Sequence, residues 1–197
     1  AMAICFDKHD RGAFASSAAE YGLQDWYAEA GMMVTTQFFA LKLQRYLHDH
    51  NLDKRLLSEL IAKSLRNGSI TPHAWRRNPL SVDEIAEGTM VNDPLTKYMF
   101  CSPSEGGAAI VLTSTEKARQ LPYPSVELKA VEFRTRKFGT FEVFSPWLAE
   151  DITKGATVHA SKAAFDTRQN RPADLDVAQL QDTEAGAELM HLAECGF

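Results

Sequence analysis

The stretch SPSEGGAAIVLTST, residues 102–115, decides the fold class of this chain. A glycine-containing turn leads into the apolar run Gly107–Thr113, which is typical of a buried strand, and the Ser-Thr pair that follows caps a helix. The same order recurs near the carboxyl end, where Val177–Leu180 is predicted to be a strand and Glu184–Cys195 a helix. Strands that alternate with helices predict an α/β fold.

Other segments predict further elements of both kinds. Ala1–Phe6 is an apolar run typical of a buried strand, whereas Val126–Arg134 alternates apolar and charged residues as a half-exposed strand does. Residues 24–87 form a compact block of predicted helices. Asp53 is predicted to cap one of these helices, which ends at Asn67-Gly68. The other local predictions are a helix from Met33 to His50, a capping box formed by Ser81 and Glu84, and a helix from Thr157 to Arg168.

Length and composition are those of an ordinary globular protein. The 197 residues include 21 Lys+Arg and 26 Asp+Glu, which gives a formal net charge of −5, and 45% are hydrophobic. No stretch approaches the ~20 consecutive apolar residues of a membrane span, and no signal-peptide pattern is present, so we expect a cytoplasmic protein. No nucleic-acid-binding motif occurs, and a pI near 5.7 argues against a duplex-binding role.

The charges divide into a basic and an acidic region. Residues 42–77 contain eight basic and three acidic side chains, a local balance of +5, whereas residues 172–197 contain six acidic side chains and no Lys or Arg. A bound anion therefore fits the first region, although solvated helix faces explain such charges equally well.

The three cysteines, Cys5, Cys101 and Cys195, are widely scattered and form no CxxC pair. No histidine pair lies beside them at a metal-ligand spacing. We therefore expect reduced, buried thiols rather than a disulfide framework or a metal site.

Two stretches carry residue types that suit a binding or catalytic site. Gln181 and Asp182 directly follow a predicted strand, and ligands of open α/β folds bind just beyond the carboxyl ends of strands. Asp182 is equally suited to be a helix N-cap, and Thr183 is a second candidate for that position. The cluster Trp75-Arg76-Arg77 combines a flat aromatic ring with two guanidinium groups, which suits an adenine ring and phosphates or a surface loop. No histidine has a partner Ser or Cys at motif spacing, so no nucleophile triad is proposed.

Several segments follow one another in a familiar order: Asn78–Ser81, Met90–Thr96, Ser104–Leu112 and Asp176–Asp182. They resemble the thiolase superfamily, and in particular its lipid-transfer-protein or sterol-carrier-type branch. Further segments are similar to the steroid side-chain aldolases within that branch: Phe6–His9, Arg11–Phe14, Thr35–Ala40, Ala74–Arg77, Tyr98–Cys101, Phe141–Pro146 and Gln181–Glu188. Together these segments match only the middle of the family's length.

The resemblance implies a layered αβαβα core of two similar halves, present here in part, with an inserted, mainly helical loop domain. Residues 1–6 would be a late strand of the first half, and residues 7–98 the loop domain. Residues 99–156 would hold the remainder of the first half and the connection, and residues 157–197 the start of the second half. None of the cysteines falls at the place of the thiolase nucleophile, so no catalytic cysteine is assigned.

The resemblance also implies a reaction. Ordinary thiolases carry Asn-Glu-Ala-Phe where Gln181-Asp182 stand here, and this departure favours the aldolase branch, which breaks a carbon–carbon bond without a covalent acyl-enzyme. The implied activity is retro-aldol cleavage of a steroid side-chain β-hydroxyacyl-CoA into propionyl-CoA and a ketosteroid, with Gln181 and Asp182 lining the reaction centre. The coenzyme A thioester would be the substrate, with no covalently bound cofactor and no metal. The basic residues expected to hold coenzyme A, together with an aromatic ring, are Arg66, Trp75, Arg76 and Arg77.

Two other functions remain open, namely a thiolase-type acyltransferase and a non-catalytic acyl-CoA or lipid carrier. A reactive cysteine would support the acyltransferase, and tight binding without turnover would support the carrier. The implied partners are a second copy in a homodimer and a small zinc-ribbon/OB-fold protein. The aromatic stretch Phe138–Trp147 is a candidate contact for substrate or partner, or a part of the core.

Overall fold

A computed structural model describes residues 1–8, 17–21, 24–30, 35–102, 104–135 and 155–197. The predicted motifs at Arg11–Phe14 and Phe141–Pro146, and the aromatic stretch Phe138–Trp147, lie outside these ranges. The strands are β1 (Met2–Asp7), β2 (Met90–Asn92), β3 (Leu95–Thr96) and β4 (Gly106–Val111). The helices are α1 (Trp26–Glu29), α2 (Thr35–Asp49), α3 (Arg55–Ile70), α4 (Val82–Ala86), α5 (Thr115–Gln120), α6 (Ala156–Arg168) and α7 (Ala185–Glu194). The result is a mixed α/β structure, as predicted.

The core of the described structure lies between helices. Four fully buried side chains form its centre: Leu43 of α2, Leu57 of α3, Ile85 of α4 and Leu95 of β3. The apolar residues of α3 recur at helical spacing, so one face of that helix points into the cluster. Ala185, the first residue of α7, joins the same cluster. The carboxyl-terminal helix is therefore packed against the helical block.

Strands β1 and β4 pair as an antiparallel ribbon with Met2 opposite Val111 and Asp7 opposite Gly106. The two predicted strands are confirmed, but the prediction that they are buried is wrong, since every residue of both is exposed. Phe6 is 82% and Ile4 65% exposed. Two strands cannot cover their own faces, because a sheet is buried only when a second layer packs on it.

Local signals for helices are largely confirmed. Ser81 and Glu84 form the predicted capping box at the start of α4, and Ser114 caps α5 by accepting the backbone N–H of Lys117. The predicted end of α3 is wrong, because the helix continues through Gly68 to Ile70. A Cβ atom at Gly68 would lie 2.5 Å from the carbonyl oxygen of Arg76. This glycine therefore permits a close backbone approach and does not end the helix.

Two predicted strands, Val126–Arg134 and Val177–Leu180, are wrong. Both segments lie outside regular structure, and Val126 is 98% and Val177 82% exposed. Neither is paired with another strand in the part of the chain that the structure describes. Alternating or apolar sequence favours an extended backbone, but a strand also needs a neighbour that takes its N–H and C=O groups.

All three cysteines are free thiols, as predicted. Their expected burial is wrong for Cys5 and Cys101, which are exposed, while Cys195 is half-buried. No helix among the described residues is both long enough and apolar enough to cross a membrane.

Candidate functional site

The predicted site residues Gln181 and Asp182 lie in the loop that enters α7. This loop is bonded to the segment after the helical block, since the N–H of Cys101 donates to the carbonyl oxygen of Thr183 at 2.9 Å. Phe100 forms an isolated antiparallel bridge with Glu184. Two contacts therefore fix the loop immediately after Asp182.

The N-cap of α7 is Glu184, so the prediction of Asp182 or Thr183 in that role is wrong. The backbone N–H of Gly186 donates to the Glu184 carboxylate, which leaves the Asp182 side chain free of capping. The bridge to Phe100 places Glu184, not Asp182, at the first turn of the helix. Both Gln181 and Asp182 are exposed, and the Gln181 amide donates to the hydroxyl of Thr183 at 3.2 Å.

The carboxyl group of Asp182 has an altered affinity for protons. Partial loss of its water shell raises its pKa, and the negative charge of Glu188 raises it further. The backbone N–H of Asp182 itself and the positive charge of Lys63 act in the opposite direction. A carboxylate whose pKa is raised is a stronger proton acceptor than an ordinary aspartate.

An ion pair between Lys63 and Glu188 joins α3 to α7 beside this loop. The Glu188 side chain is only 12% exposed, whereas that of Lys63 is 44% exposed. Sequence reasoning did not single out either residue. The signal available was the basic balance of residues 42–77 against the acidic balance of residues 172–197, which are the regions that this pair connects.

Glu184 is a second carboxyl group with an unusual environment. Its side chain is 1% exposed, and its Oε1 atom is buried without a hydrogen-bond partner among the described residues. Burial raises the pKa of Glu184, although the N–H groups of Gly186 and Ala187 and the charge of Lys42 oppose the rise. Gly186 lets α2 come close here, because a Cβ atom on it would lie 2.6 Å from Cδ1 of Leu43.

This burial predicts a pH-dependent stability. Because its pKa is higher in the folded than in the unfolded chain, Glu184 stabilises the fold fully below its unfolded pKa, and that contribution is lost as pH rises through its folded pKa. The wild type is therefore expected to lose stability relative to Glu184→Gln as pH rises above the ordinary pKa of a glutamate, measured as free energy of unfolding in urea. Glu87→Gln, at an exposed position, should follow the wild type throughout. A wild-type curve parallel to that of Glu184→Gln would contradict the prediction.

The residues predicted to hold coenzyme A take two different roles. The half-buried guanidinium of Arg76 donates to the hydroxyl of Ser102 at 2.6 Å and 3.1 Å and to the carbonyl oxygen of Tyr98 at 3.3 Å. These N–H groups of Arg76 are therefore occupied by hydrogen bonds within the protein. Trp75 is 76% exposed, and the exposed side chains of Arg66 and Arg77 form no ion pair with any described residue.

The segment Phe100–Ser102 connects the two predicted site regions. Ser102 binds Arg76 on one side, and Cys101 binds Thr183 on the other. Arg76 and the loop that holds Gln181 and Asp182 are therefore hydrogen-bonded to adjacent residues of one segment. Such an arrangement suits an extended ligand with an anionic end and a polar reacting end.

Comparisons with known proteins place this fold in context. The chain is 27% identical over 176 residues to an acetyl-CoA acetyltransferase of Methanothermobacter thermautotrophicus, an alignment that covers 88% of this chain and 44% of that protein. It is 27% identical over 100 residues to a steroid side-chain-cleaving aldolase of Thermomonospora curvata, covering 50% of this chain and 26% of the aldolase. It is 24% identical over 194 residues to sterol carrier protein 2 of Gallus gallus, covering 92% of this chain and 35% of that protein. No protein-family model matches the chain.

A solved structure shares the fold. The chain superposes on the "Ltp2-ChsH2(DUF35) aldolase" with a TM-score of 0.80 and 21% sequence identity, over 100% of this chain and 52% of that chain. The fold is thus a mixed α/β fold of the thiolase-like kind. The resemblance to the thiolase superfamily is confirmed, since the relatives of this chain are thiolases, a steroid side-chain-cleaving aldolase and sterol carrier protein 2. The chain spans less than half the length of these curated relatives.

Proposed function

We propose that the complete protein containing this chain is a thiolase-fold enzyme of lipid or steroid catabolism that cleaves a steroid side-chain β-hydroxyacyl-CoA by a retro-aldol reaction. The proposal rests on the environment of Asp182. Its carboxylate is exposed and has a raised pKa, and it does not cap α7 because Glu184 is the N-cap. Gln181-Asp182 stand where the resemblance puts the Asn-Glu-Ala-Phe motif of ordinary thiolases. The similarity to a steroid side-chain-cleaving aldolase supports the same reaction class.

In the proposed reaction, the Asp182 carboxylate takes the proton of the substrate β-hydroxyl group. The bond between the α and β carbons breaks, and its electron pair moves into the thioester to form an enolate. The exposed amide of Gln181 donates to the thioester oxygen as that negative charge develops. Protonation of the enolate at its α carbon gives propionyl-CoA, and the former hydroxyl carbon becomes the ketone of the steroid. Atoms and electrons balance without an oxidant or a reductant.

Arg66, Trp75 and Arg77 are proposed to bind the coenzyme A part of the substrate. The close contact between Gly68 and the backbone of Arg76 brings both arginines to the same end of α3. Guanidinium groups bind phosphates through charge-assisted hydrogen bonds, and the exposed indole of Trp75 offers a flat surface for adenine. Arg76 is assigned the supporting role of holding the segment Tyr98–Ser102 in place.

The coenzyme A assignment predicts a defect in binding rather than in chemistry. Arg66→Gln and Arg77→Gln are each expected to raise KM by about tenfold with little change in kcat, because an interaction present equally in ground and transition states affects KM alone. Steady-state kinetics of the complete protein measure both constants. Arg45→Gln, which removes an arginine paired with Asp49 on α2, is the matched control and should leave KM unchanged. An unchanged KM in both test variants would remove the assignment.

The residue boundaries and partners implied by the resemblance are part of the proposal. Residues 7–98 would form the helical loop domain, in which α2, α3 and α4 share a hydrophobic cluster that Ala185 of α7 also joins. The similar solved structure is that of an Ltp2-ChsH2(DUF35) aldolase, a name that joins the aldolase to a second protein. This name supports a second protein in the proposed assembly. A homodimer, and a zinc-ribbon/OB-fold identity for the partner, are proposed from the resemblance alone.

Mixing the complete protein with a steroid side-chain β-hydroxyacyl-CoA tests the activity. We expect a ketosteroid and propionyl-CoA in equal amounts, detected by mass spectrometry. Failure to release either product with the partner protein present would refute the proposed function.

Acyl transfer is the second candidate function. The alignment with an acetyl-CoA acetyltransferase, which covers 88% of this chain, favours it. A transferase of this type forms a covalent acyl-cysteine, whereas the proposed aldolase forms no acyl-enzyme. The complete protein is incubated with radioactive acetyl-CoA and then denatured. Radioactivity that stays on the protein would indicate acyl transfer, and its absence would agree with the aldolase.

A further inference from the structure

Two ways of starting α7 compete in this sequence. Asp182 and Thr183 are of the residue types that cap helices best, whereas glutamate is not, yet Glu184 is the N-cap. Its side chain is 1% exposed and accepts the backbone N–H of Gly186. The missing side chain of Gly186 makes room for this carboxyl group, since a Cβ atom there would lie 2.9 Å from Oε2 of Glu184. The cap of α7 is therefore a buried carboxyl group, although two better capping residues precede it.

The residue at which α7 begins decides which bonds the preceding loop can form. The carbonyl oxygen of an N-cap residue accepts the first hydrogen bond of the helix, and here Glu184 accepts the N–H of Ala187 at 3.1 Å. The carbonyl oxygen of Thr183 is therefore left for the N–H of Cys101, at 2.9 Å. A helix capped by Thr183 would turn this oxygen along its own axis, so the bond to Cys101 would be lost.

The same choice determines the role of the Asp182 carboxylate. If Asp182 capped the helix, its oxygens would accept backbone N–H groups of the first turn. Such hydrogen bonds favour the ionised form of a carboxyl group and so make it a weaker proton acceptor. With Glu184 as the N-cap, the Asp182 side chain does not cap α7 and stays exposed.

We propose that Glu184 is a positioning residue of the candidate site, which keeps α7 from starting earlier, so that Asp182 stays available and the loop stays bonded to Cys101. This inference rests on the proposed function, in which Asp182 is the proton acceptor. Glu184 itself touches no substrate, because its side chain is buried. The antiparallel bridge between Phe100 and Glu184 holds the N-cap residue in place from the neighbouring segment.

Replacement of Glu184 separates positioning from a general effect on stability. Glu184→Ala removes the cap, so we expect α7 to lengthen towards Asp182 and the amide proton of Cys101 to exchange about tenfold faster. The kcat should fall by about 10- to 100-fold with little change in KM, because Asp182 is misplaced while the groups proposed to bind coenzyme A are not. Glu184→Gln keeps the shape and an acceptor oxygen, and should keep kcat within about twofold of wild type.

These quantities are measured on the complete protein. Backbone chemical shifts of residues 181–186 report where α7 begins, amide hydrogen exchange reports the bond to Cys101, and steady-state kinetics give kcat and KM. The matched control is Glu84→Ala, which removes the carboxyl group of the capping box of α4. It should lower stability but change neither the start of α7 nor kcat.

An unchanged start of α7 in Glu184→Ala would overturn the inference. So would a kcat that falls in Glu184→Gln while the Cys101 amide stays protected, and this second test holds even if Glu184→Ala does not fold. A lengthened helix and a lost Cys101 bond, in a protein that cleaves no steroid β-hydroxyacyl-CoA, would instead reject the proposed function and leave the placement of the loop by Glu184 intact.

Discussion

Asp182→Asn is expected to lower kcat/KM of the retro-aldol reaction by about 10²- to 10⁴-fold, the usual contribution of a general base. The asparagine amide keeps the shape of the side chain but cannot accept the β-hydroxyl proton. Asp182 is exposed and does not cap α7, so the substitution should leave the fold intact. Steady-state kinetics across pH 5 to pH 9 measure the effect.

The matched control for this experiment is Asp166→Asn, which removes an exposed carboxylate on α6. It should retain wild-type kcat/KM. An Asp182→Asn enzyme with activity within a few-fold of wild type would exclude Asp182 as the proton acceptor, and the base would then have to be sought on another residue.

Leu43→Ala is expected to lower the free energy of unfolding by about 3 to 5 kcal/mol, since it removes a fully buried side chain and leaves a cavity. Leu43 lies at the centre of the helical block and packs against Gly186 at the start of α7. Its loss should therefore loosen the α7 end that carries the candidate site. Equilibrium unfolding in urea, followed by circular dichroism, measures the change.

Leu41→Ala is the natural comparison because it lies two residues away on the same helix with a side chain 51% exposed. We expect it to cost about 1 kcal/mol or less, as is usual for a surface position. An equal loss of unfolding free energy in the two variants would contradict the burial of Leu43 in the core.

Helices were predictable from this sequence because their signals are local. The capping box at Ser81 and Glu84 and the cap at Ser114 involve residues three apart, and the structure has both. The existence of helix α3 was likewise predicted correctly. Its end was not, because Gly68 serves a contact with the backbone of Arg76 that no local pattern reveals.

Strands were predicted less well, because pairing is a property of the tertiary structure. Val126–Arg134 has the alternation of a strand, yet it pairs with no other strand among the described residues and is not one. Strands β1 and β4 were correctly predicted, and each has the other as its partner. Their exposure was not predicted. An apolar sequence indicates that a strand face is stable when another layer packs on it, but it does not identify that layer.

The candidate site was predictable in part. Gln181 and Asp182 were singled out because they follow the predicted strand Val177–Leu180, which the structure does not contain. The choice of N-cap depended on the bridge between Phe100 and Glu184. The Lys63–Glu188 pair joins residues 125 positions apart, so only the folded chain could reveal it. The proposed activity came from the resemblance to thiolases and aldolases and not from the spacing of residues in the sequence.

Dependence on free coenzyme A distinguishes retro-aldol cleavage from thiolysis. The complete protein, with its partner, is incubated with a steroid side-chain β-hydroxyacyl-CoA or with the corresponding β-ketoacyl-CoA, each with and without free coenzyme A. If the protein is a retro-aldolase, the hydroxy substrate alone is cleaved, at a rate independent of free coenzyme A, into ketosteroid and propionyl-CoA. Cleavage of only the keto substrate, and only when free coenzyme A is present, would contradict a retro-aldol reaction and identify a thiolase.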